Sequence, residues 1–200
     1  ARFLEFLNDN ELQELNELLD WHCYTVDQRG RRFGMPAGLS KRSTPQQIPD
    51  HRIIKMHNRF NLADKHVIEI GCFEGVHTIA LANLAHKVTA IDARVNNIVK
   101  TIVRCSFYGY HPTVFKYDVD GTCPDAQLLA ADVAHHVGVL YHLKDPVSHL
   151  LSLGGYVRQG LMLDTHYCED REINGSYVVA GQEYSFRRYV EAGIGDPFSG

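Results

Sequence analysis

The fold of this chain is decided by the stretch HVIEIGCFEGVHTIALANLAHKVTAIDAR, residues 66–94. Residues 67–70 form a short apolar run with β-branched side chains, which predicts a strand that is buried on both faces. Gly71 ends this run and Gly75 follows four positions later. Glycines here predict a sharp turn that a ligand can approach, because neither residue carries a Cβ atom.

A helix and a second strand complete this unit. Residues 77–85 carry apolar side chains that predict a helix packed on the sheet. Residues 88–91 predict the second strand, with Asp92 at its carboxyl end. Open α/β sheets bind ligands at that end, where a carboxylate can accept hydrogen bonds from both hydroxyls of a ribose. The predicted fold class is α/β, with a doubly wound, mostly parallel sheet of the Rossmann-like type.

The glycine spacing indicates which nucleotide the turn binds. Dinucleotide folds use G-x-G-x-x-G, which brings a helix amino end to a pyrophosphate, whereas this chain has E-x-G-x-x-x-G. Carboxylates at Glu69 and Glu74 would repel a diphosphate and would suit a ligand with an ammonium and a sulfonium group. S-adenosylmethionine is therefore favoured over NAD, with contacts expected at Glu69, Gly71, Cys72, Phe73, Gly75, Asp92, Ala93 and Arg94. The alternative is a plain βαβ unit in which Asp92 caps the next helix.

Composition and charge narrow the class of protein. The 200 residues are 44% hydrophobic, which suits one compact domain with extensions. The formal net charge of −4 gives no overall attraction to nucleic acid or anionic membrane, and so favours a small substrate. The five cysteines form no C-x-x-C pair, so neither a disulfide framework nor a zinc knuckle is predicted. We expect a cytoplasmic protein without a membrane segment.

Three regions are expected along the chain. Residues 1–60 form an N-terminal helical extension with a lid-like loop, residues 61–170 form the cofactor-binding α/β core, and residues 171–200 form a C-terminal tail. The extension holds one amphipathic helix to about Trp21 and a second over residues 50–60. The buried side of the second helix is expected to consist of Ile53, Ile54 and Met56.

The lid-like loop lies between these two helices, at residues 21–40. Its turn-rich sequence and the positions just after it carry cations that could reach a phosphate or carboxylate, namely Arg29, Arg31, Arg32, Lys41 and Arg42. A solvated loop is the equally weighted alternative.

The remaining core elements follow in alternation. The apolar pattern predicts a helix over residues 96–108 and strands over residues 113–117, 132–140 and 161–164. After these, only residues 177–179 read as a possible short strand.

The first motif resembles that of class I S-adenosylmethionine-dependent methyltransferases, with Asp92 in the place of the ribose-binding acid. A second segment, G-V-L-Y-H-x-x-x-P-x-x-H-L at residues 138–150, is similar to the tRNA wobble-uridine (5-oxyacetate-forming) methyltransferase group. The resemblance covers about residues 50–165. It implies that Asp118 holds the adenine amino group and that Gly138 also contacts the cofactor. It further implies that Tyr141 corresponds to a tyrosine that contacts a carboxylated form of the cofactor.

The resemblance also marks two departures. The complete sheet of this family has a C-terminal antiparallel hairpin, for which no apolar runs remain, so we expect the chain to lack it and to be truncated. In addition, the turn residues Cys72, Phe73 and Glu74 differ from the usual small, polar choices, and the acidic chain has no broad basic face for tRNA.

Catalytic residues are expected at the carboxyl end of the fourth strand, where the acceptor should arrive. Methyl transfer needs in-line placement and, for a weak nucleophile, a base. His142 is the first candidate for that base, with Tyr141 beside it and Asp164 or His166 as rivals. A structural role for His142, bonded to a backbone carbonyl, is the alternative.

The twelve histidines raise the question of a metal. Strand alternation sends His135 and His136 to opposite faces. Asp164, His166 and Cys168 share one face if extended, but they fall short of the usual four-ligand pattern, so no metal is predicted.

The sequence alone leaves four possible functions for this chain. A methyltransferase acting on a small-molecule acceptor is preferred, and a wobble-uridine type enzyme acting on tRNA is the alternative. A non-catalytic cofactor-binding module is the third, and a nicotinamide oxidoreductase is disfavoured by the glycine spacing.

Overall fold

The structure is a computed structural model that describes residues 2–34, 44–121 and 126–188. The helices are α1 (Asp9–Leu18), α2 (His51–Phe60), α3 (Val76–Leu84), α4 (Val95–Phe107) and α5 (Pro146–Leu153). The strands are β1 (Tyr24–Val26), β2 (Arg32–Gly34), β3 (His66–Ile70), β4 (Lys87–Asp92), β5 (Thr113–Lys116), β6 (Ala131–Val137), β7 (Val157–Asp164), β8 (Gly175–Val179) and β9 (Gln182–Phe186). None of the helices within these ranges has the length and apolarity that crossing a membrane requires.

A five-stranded parallel sheet forms the centre, in the order β5-β4-β3-β6-β7. The central strand β3 is buried on both faces through Val67, Ile68 and Ile70. From β3 the chain moves to β4 and β5 on one side and then returns to β6 on the other. The carboxyl ends of β3 and β6 therefore flank a topological switch point, where open α/β sheets bind ligands. The predicted fold class is confirmed.

The C-terminal region differs from its prediction in one element. Residues 177–179 do lie in a strand, but β9 was not predicted, and it pairs with β8 as a separate antiparallel hairpin. Ala180 and Gly181 both have positive φ angles at its two-residue turn, as hairpin turns of this type require. The strand β9 was missed because it alternates polar and apolar side chains and has no continuous apolar run. Within the described ranges, the parallel sheet has no strand beyond β7.

The described part of the lid-like loop is packed rather than open. Trp21, Tyr24 and Phe33 are buried in one cluster with side chains of α1, α3 and α4. Arg31, expected to reach a ligand, instead bonds Asp27 and Asp9. Residues 21–34 thus include a β1–β2 hairpin with several side chains in the core, which the polar, turn-rich sequence did not indicate, and the lid role of the loop stays a prediction.

Three other expectations for the N-terminal region concern its remaining cations, the buried side of α2 and the region boundaries. The guanidinium of Arg32 lies over the Tyr24 ring at 4.5 Å, and Lys41 and Arg42 lie outside the described residues. In α2, Ile53 and Met56 are buried as expected, but Ile54 is 44% exposed. The region boundaries at residues 60 and 170 stay predictions.

A buried charge cluster joins the N-terminal segment to the glycine turn. Glu74 lies in that turn, and its carboxylate accepts hydrogen bonds from Lys100 Nζ at 2.8 Å and from the backbone N–H groups of His22 at 2.8 Å and Cys23 at 3.1 Å. Arg104 Nη2 lies 3.6 Å from the same carboxylate, and all three charged side chains are fully buried. Burial alone would raise the pKa of Glu74, but these hydrogen bonds outweigh it and lower the pKa. The carboxylate is therefore ionised and paired.

Replacing Glu74 with alanine is expected to destabilise the fold by about 3–5 kcal/mol, because two buried cations would lose their counter-charge. Asp9→Asn is the control, since it breaks the Arg31–Asp9 pair at an exposed carboxylate and should cost at most about 1 kcal/mol. Urea unfolding followed by circular dichroism measures both. Equal losses from the two substitutions would show that the cluster does not hold the N-terminal segment in place.

Candidate functional site

The glycine turn lies between β3 and α3, and the φ angles of its residues alternate in sign. Gly71, Phe73 and Gly75 have φ angles of 76°, 49° and 79°, values that glycine adopts readily and that are uncommon for phenylalanine. The N–H groups of Gly71 and Cys72 both donate to the Ile91 carbonyl, at 2.9 and 3.0 Å. The turn is therefore fixed against the carboxyl end of β4.

Asp92 lies beside this turn at the end of β4, as predicted. Its Oδ2 accepts from Phe73 N–H at 3.0 Å, and its Oδ1 accepts from Arg94 N–H at 2.9 Å and Asn97 Nδ2 at 3.0 Å. A carboxylate has about four acceptor positions, so the three bonds leave acceptor capacity for a ligand hydroxyl. The capping alternative is wrong, because the N-cap residue of α4 is Arg94 and no side chain among the described residues caps that helix.

A cleft of about 560 Å³ opens at the carboxyl ends of β3, β4 and β6. It brings together eleven of the predicted site residues: Glu69, Gly71, Cys72, Phe73, Asp92, Ala93, Arg94, Asp118, Gly138, Tyr141 and His142. Gly75 is not part of its wall. A Cβ atom at Gly75 would lie 3.0 Å from Thr101 Cα, so this glycine permits α3 to pack against α4. Gly75 thus has a packing role, and the cofactor contact expected at it stays a prediction.

The charge on the turn is not the one that the sequence suggested. Glu74 is neutralised by Lys100 and Arg104, as described above. Glu69 is buried, and burial raises the pKa of its carboxyl to about 8 despite a hydrogen bond from Thr78. Glu69 is therefore largely protonated at pH 7. The expected repulsion of a diphosphate by Glu69 and Glu74 does not hold, and the carboxylates left on the cleft wall are Asp92 and Asp118.

Asp118 follows β5 and lines the same cleft. Its Oδ1 accepts from Asp120 N–H at 3.0 Å, which forms a local turn. Gly138 follows β6 with a φ of 74°, and its N–H donates to the Asp164 carbonyl at 2.9 Å. Both residues thus face the switch point that the parallel sheet creates.

The three predicted catalytic residues lie at the junction of this cleft with a second cavity. Tyr141 and His142 border both cavities, whereas His166 borders only the second. The His166 ring stacks on Tyr141 with centroids 4.0 Å apart and planes 5° from parallel. The second cavity, of about 1300 Å³, extends from this stack to the β8–β9 hairpin. A ligand in each cavity would meet at Tyr141.

Sequence reasoning missed one charged group on the cleft wall. Arg52 of α2 lines the cleft and donates to Asp50 Oδ1 at 2.8 Å and to Asp164 Oδ2 at 2.7 Å. Asp164, a predicted rival base, is therefore held in an ion pair. The helix periodicity of residues 50–60 could have placed Arg52 near β7 only if the helix orientation had been known.

The possible ligand set of Asp164, His166 and Cys168, on which no metal was predicted, does not come together. Asp164 pairs with Arg52, and His166 and Cys168 line the second cavity. Within the part of the chain that the structure describes, the group whose ligand atoms all lie within 4.8 Å of one another is Glu69, His77 and His135. The opposite orientation of His135 and His136 is confirmed, since His136 instead contacts His149 of α5 at 3.0 Å.

The chain is similar in sequence to part of several known proteins. No family model matches the chain. The tRNA U34 carboxymethyltransferase of Methylococcus capsulatus is 32% identical over 133 residues, which make up 64% of this chain and 40% of that protein. The protein of the same name from Marinobacter nauticus is 31% identical over 108 residues, or 52% of this chain and 32% of that protein. The chain thus spans less than half the length of these curated relatives.

Solved structures agree on the architecture. The N-terminal domain of EvdMO1, crystallised in the presence of SAH and D-fucose, has a TM-score of 0.65 and 22% identity, covering 88% of this chain and 71% of that one. The crystal structure of EvdMO1 itself gives a TM-score of 0.60 at 20% identity, over 76% of this chain and 33% of that one. This chain has the fold of class I S-adenosylmethionine-dependent methyltransferases. In sequence it resembles the tRNA U34 carboxymethyltransferase group, so the predicted resemblance is confirmed.

The contact between Gly71 and Val139 leads to a prediction. A Cβ atom at Gly71 would lie 2.3 Å from Val139 Cγ2, whereas one at Gly30, with the same φ of 76°, would meet nothing within 4 Å. Gly30→Ala should cost about 1–2 kcal/mol from backbone strain alone. Gly71→Ala should cost about 1–3 kcal/mol more, because of overpacking.

Val139→Ala is the matched background, because it removes the clashing methyl group. In that background Gly71→Ala should cost no more than Gly30→Ala does in the parent chain. Urea unfolding measures all of these variants. If the excess cost of Gly71→Ala persists without Val139, the close approach of these two residues is not what requires glycine here.

Proposed function

We propose that this chain is an S-adenosylmethionine-dependent methyltransferase domain with its cofactor in the cleft beside Gly71. The observation that carries the proposal is the position of Asp92, next to the glycine turn and at the sheet's switch point. A neighbour with the same fold was crystallised with SAH. Asp92 would bind the ribose hydroxyls, and Asp118 would bind the adenine amino group.

The reactive end of the cofactor would lie between the ends of β3 and β6. The absence of a side chain at Gly138 lets a ligand approach the backbone there. Attraction of the sulfonium would rest on Asp92 and Asp118. Glu69 would not contribute because it is largely protonated, and Glu74 would not contribute because it is paired with Lys100 and Arg104. The cofactor, when bound, supplies an electrophilic methyl group attached to a positively charged sulfur.

The chain's own contribution to the reaction is placement and proton removal. Tyr141 and His142 lie where the cleft meets the second cavity, so an acceptor atom there would face the methyl group in line. A base at this junction would take the acceptor's proton as the bond from the acceptor to the methyl carbon forms and the methyl–sulfur bond breaks, with S-adenosylhomocysteine as the leaving group. His142 is the proposed base, with Tyr141 orienting the acceptor and His166 supporting the Tyr141 ring.

The second cavity favours a small-molecule acceptor of the sugar class. Its wall combines aromatic rings with short polar side chains, including Tyr177, Phe186, Asn174, Ser176 and Ser185. Aromatic faces pack against the apolar faces of sugar rings, and hydroxyl and amide groups bond their hydroxyls. The crystallised neighbour with D-fucose present supports this choice.

A tRNA acceptor is the second candidate, because the curated relatives are named tRNA U34 carboxymethyltransferases. The basic patch expected for it is weakened in the described residues. Arg31 is held by two carboxylates, and Arg32 lies over an aromatic ring. This leaves the N-terminal segment with little free positive charge for a phosphate backbone.

Titration calorimetry tests the cofactor assignment. S-adenosylhomocysteine should bind with one site per chain and NADH should not bind. Asp92→Asn should weaken S-adenosylhomocysteine binding by about ten- to a hundredfold, since hydrogen bonds to a charged group are worth about 1.5–3 kcal/mol. Asp64→Asn, at an exposed acid paired only with Lys65, should leave it unchanged. Binding of NADH in preference to S-adenosylhomocysteine would refute the proposal.

Methyl transfer from labelled S-adenosylmethionine tests the acceptor. Monosaccharides and nucleotide sugars should be labelled, and His166→Ala should raise their KM by about three- to tenfold through loss of an aromatic contact. The same change should leave S-adenosylhomocysteine affinity intact, and His111→Ala, an exposed site, should change neither. Labelling of tRNA alone, with binding that falls steeply with salt, would establish the second candidate instead.

A further inference from the structure

We infer that Glu69, His77 and His135 form a binding site for a divalent ion of the zinc type. The three residues come from β3, α3 and β6, and one ligand atom from each lies within 4.8 Å of the others. Two imidazoles and one carboxylate are a ligand set that zinc uses when a fourth position stays open. This site shares Glu69 and His77 with the wall of the proposed cofactor cleft, but metal binding to it does not depend on methyl transfer.

His135 is the residue that points to a ligand. Its side chain is 2% exposed, and neither Nδ1 nor Nε2 has a hydrogen-bond partner among the residues that the structure describes. An unpartnered buried polar group costs about 1–3 kcal/mol, so native structures seldom leave one without a reason. Polar groups close to it are Glu69 Oε1, at 3.9 Å from Nδ1, and the His77 ring, at 5.0 Å between centroids. The Glu69–His135 distance is too long for a hydrogen bond, and ligand atoms within 4.8 Å of one another suit an ion held between the three side chains.

The sheet register explains why the ligands meet. β3 and β6 are parallel neighbours, and Glu69 lies directly opposite His135, so both side chains leave the same face of the sheet. His77 lies in the first turn of α3, which packs over that face. The Glu69 carboxylate is also held in its orientation, because Thr78 Oγ1 donates a hydrogen bond to Glu69 Oε2 at 2.5 Å. Such outer contacts orient a ligand before a metal binds.

The protonation states are compatible with metal binding. Burial, with smaller effects of His77 and Arg52, lowers the pKa of His135 well below its usual value, so its imidazole is neutral and able to ligate. Glu69 would lose its proton on binding, as metal ligands do. Arg52 Nη2 lies 3.5 Å from His77 Nε2, but Asp50 and Asp164 neutralise its charge. Glu69 and His77 also line the cleft, which leaves the fourth position to a water or a ligand atom from that side.

Metal titration of the intact chain tests the inference. After dialysis against a chelator, Zn²⁺ should bind with about one equivalent per chain, and Co²⁺ should give the absorption spectrum of a four-coordinate site. Mg²⁺ should not bind, because it prefers oxygen ligands and octahedral geometry. Equal binding of Mg²⁺ would overturn the site.

Variants separate this site from adventitious binding. His77→Ala, at a partly exposed ligand, and His135→Gln should each weaken Zn²⁺ binding by more than about a hundredfold, beyond the 10–100-fold typical of losing an outer contact. His86→Ala, at an exposed histidine, should leave it unchanged. If His135→Gln fails to fold, His77→Ala decides the matter. Undiminished Zn²⁺ binding in His77→Ala, or no stoichiometric binding to the parent chain, would overturn the inference. Neither outcome would bear on the proposed cofactor site, which S-adenosylhomocysteine binding tests separately.

Discussion

The structure depends on one buried carboxylate, Glu74, and the groups that surround it. Two cations of α4 and two backbone N–H groups of the N-terminal segment converge on it. Because Glu74 belongs to the glycine turn, this cluster fixes the turn, α4 and the N-terminal segment relative to one another. A buried ion cluster of this kind holds geometry more than it adds stability. The cleft, which Cys23 and Glu74 also line, therefore has a wall whose shape this cluster sets.

The cleft itself combines this fixed turn with the regular ends of a parallel sheet. The Ile91 carbonyl and the Asp92 carboxylate of β4 bind the turn, and Gly71 lets Val139 approach from the β6 side. The three neighbouring strands β4, β3 and β6 thus each contribute to the wall of the cleft. The junction at Tyr141 then joins this cleft to the larger aromatic cavity, which is the arrangement that transfer between two bound molecules needs.

The face of the sheet under the cleft is unusually polar for a parallel sheet. Glu69 and His135 occupy adjacent central strands, where β-branched apolar residues are usual. Burial shifts the pKa of each towards its neutral form. Two buried polar groups therefore lie on this face, and one of them has no hydrogen-bond partner among the described residues.

The sequence by itself determined the parallel sheet, the position of the glycine turn and the place of Asp92, because each follows from local periodicity and from the rule that parallel strands share a carboxyl edge. Only the tertiary structure decided which charges are free. Glu74 is paired with Lys100, which is 26 residues away, and Asp164 is paired with Arg52, which is 112 residues away. It also decided that Gly75 takes part in helix packing and that side chains such as Tyr24 and Phe33 lie in the core. These outcomes depend on burial and on contacts distant in sequence, which set the ionisation and role of a residue but leave no local pattern.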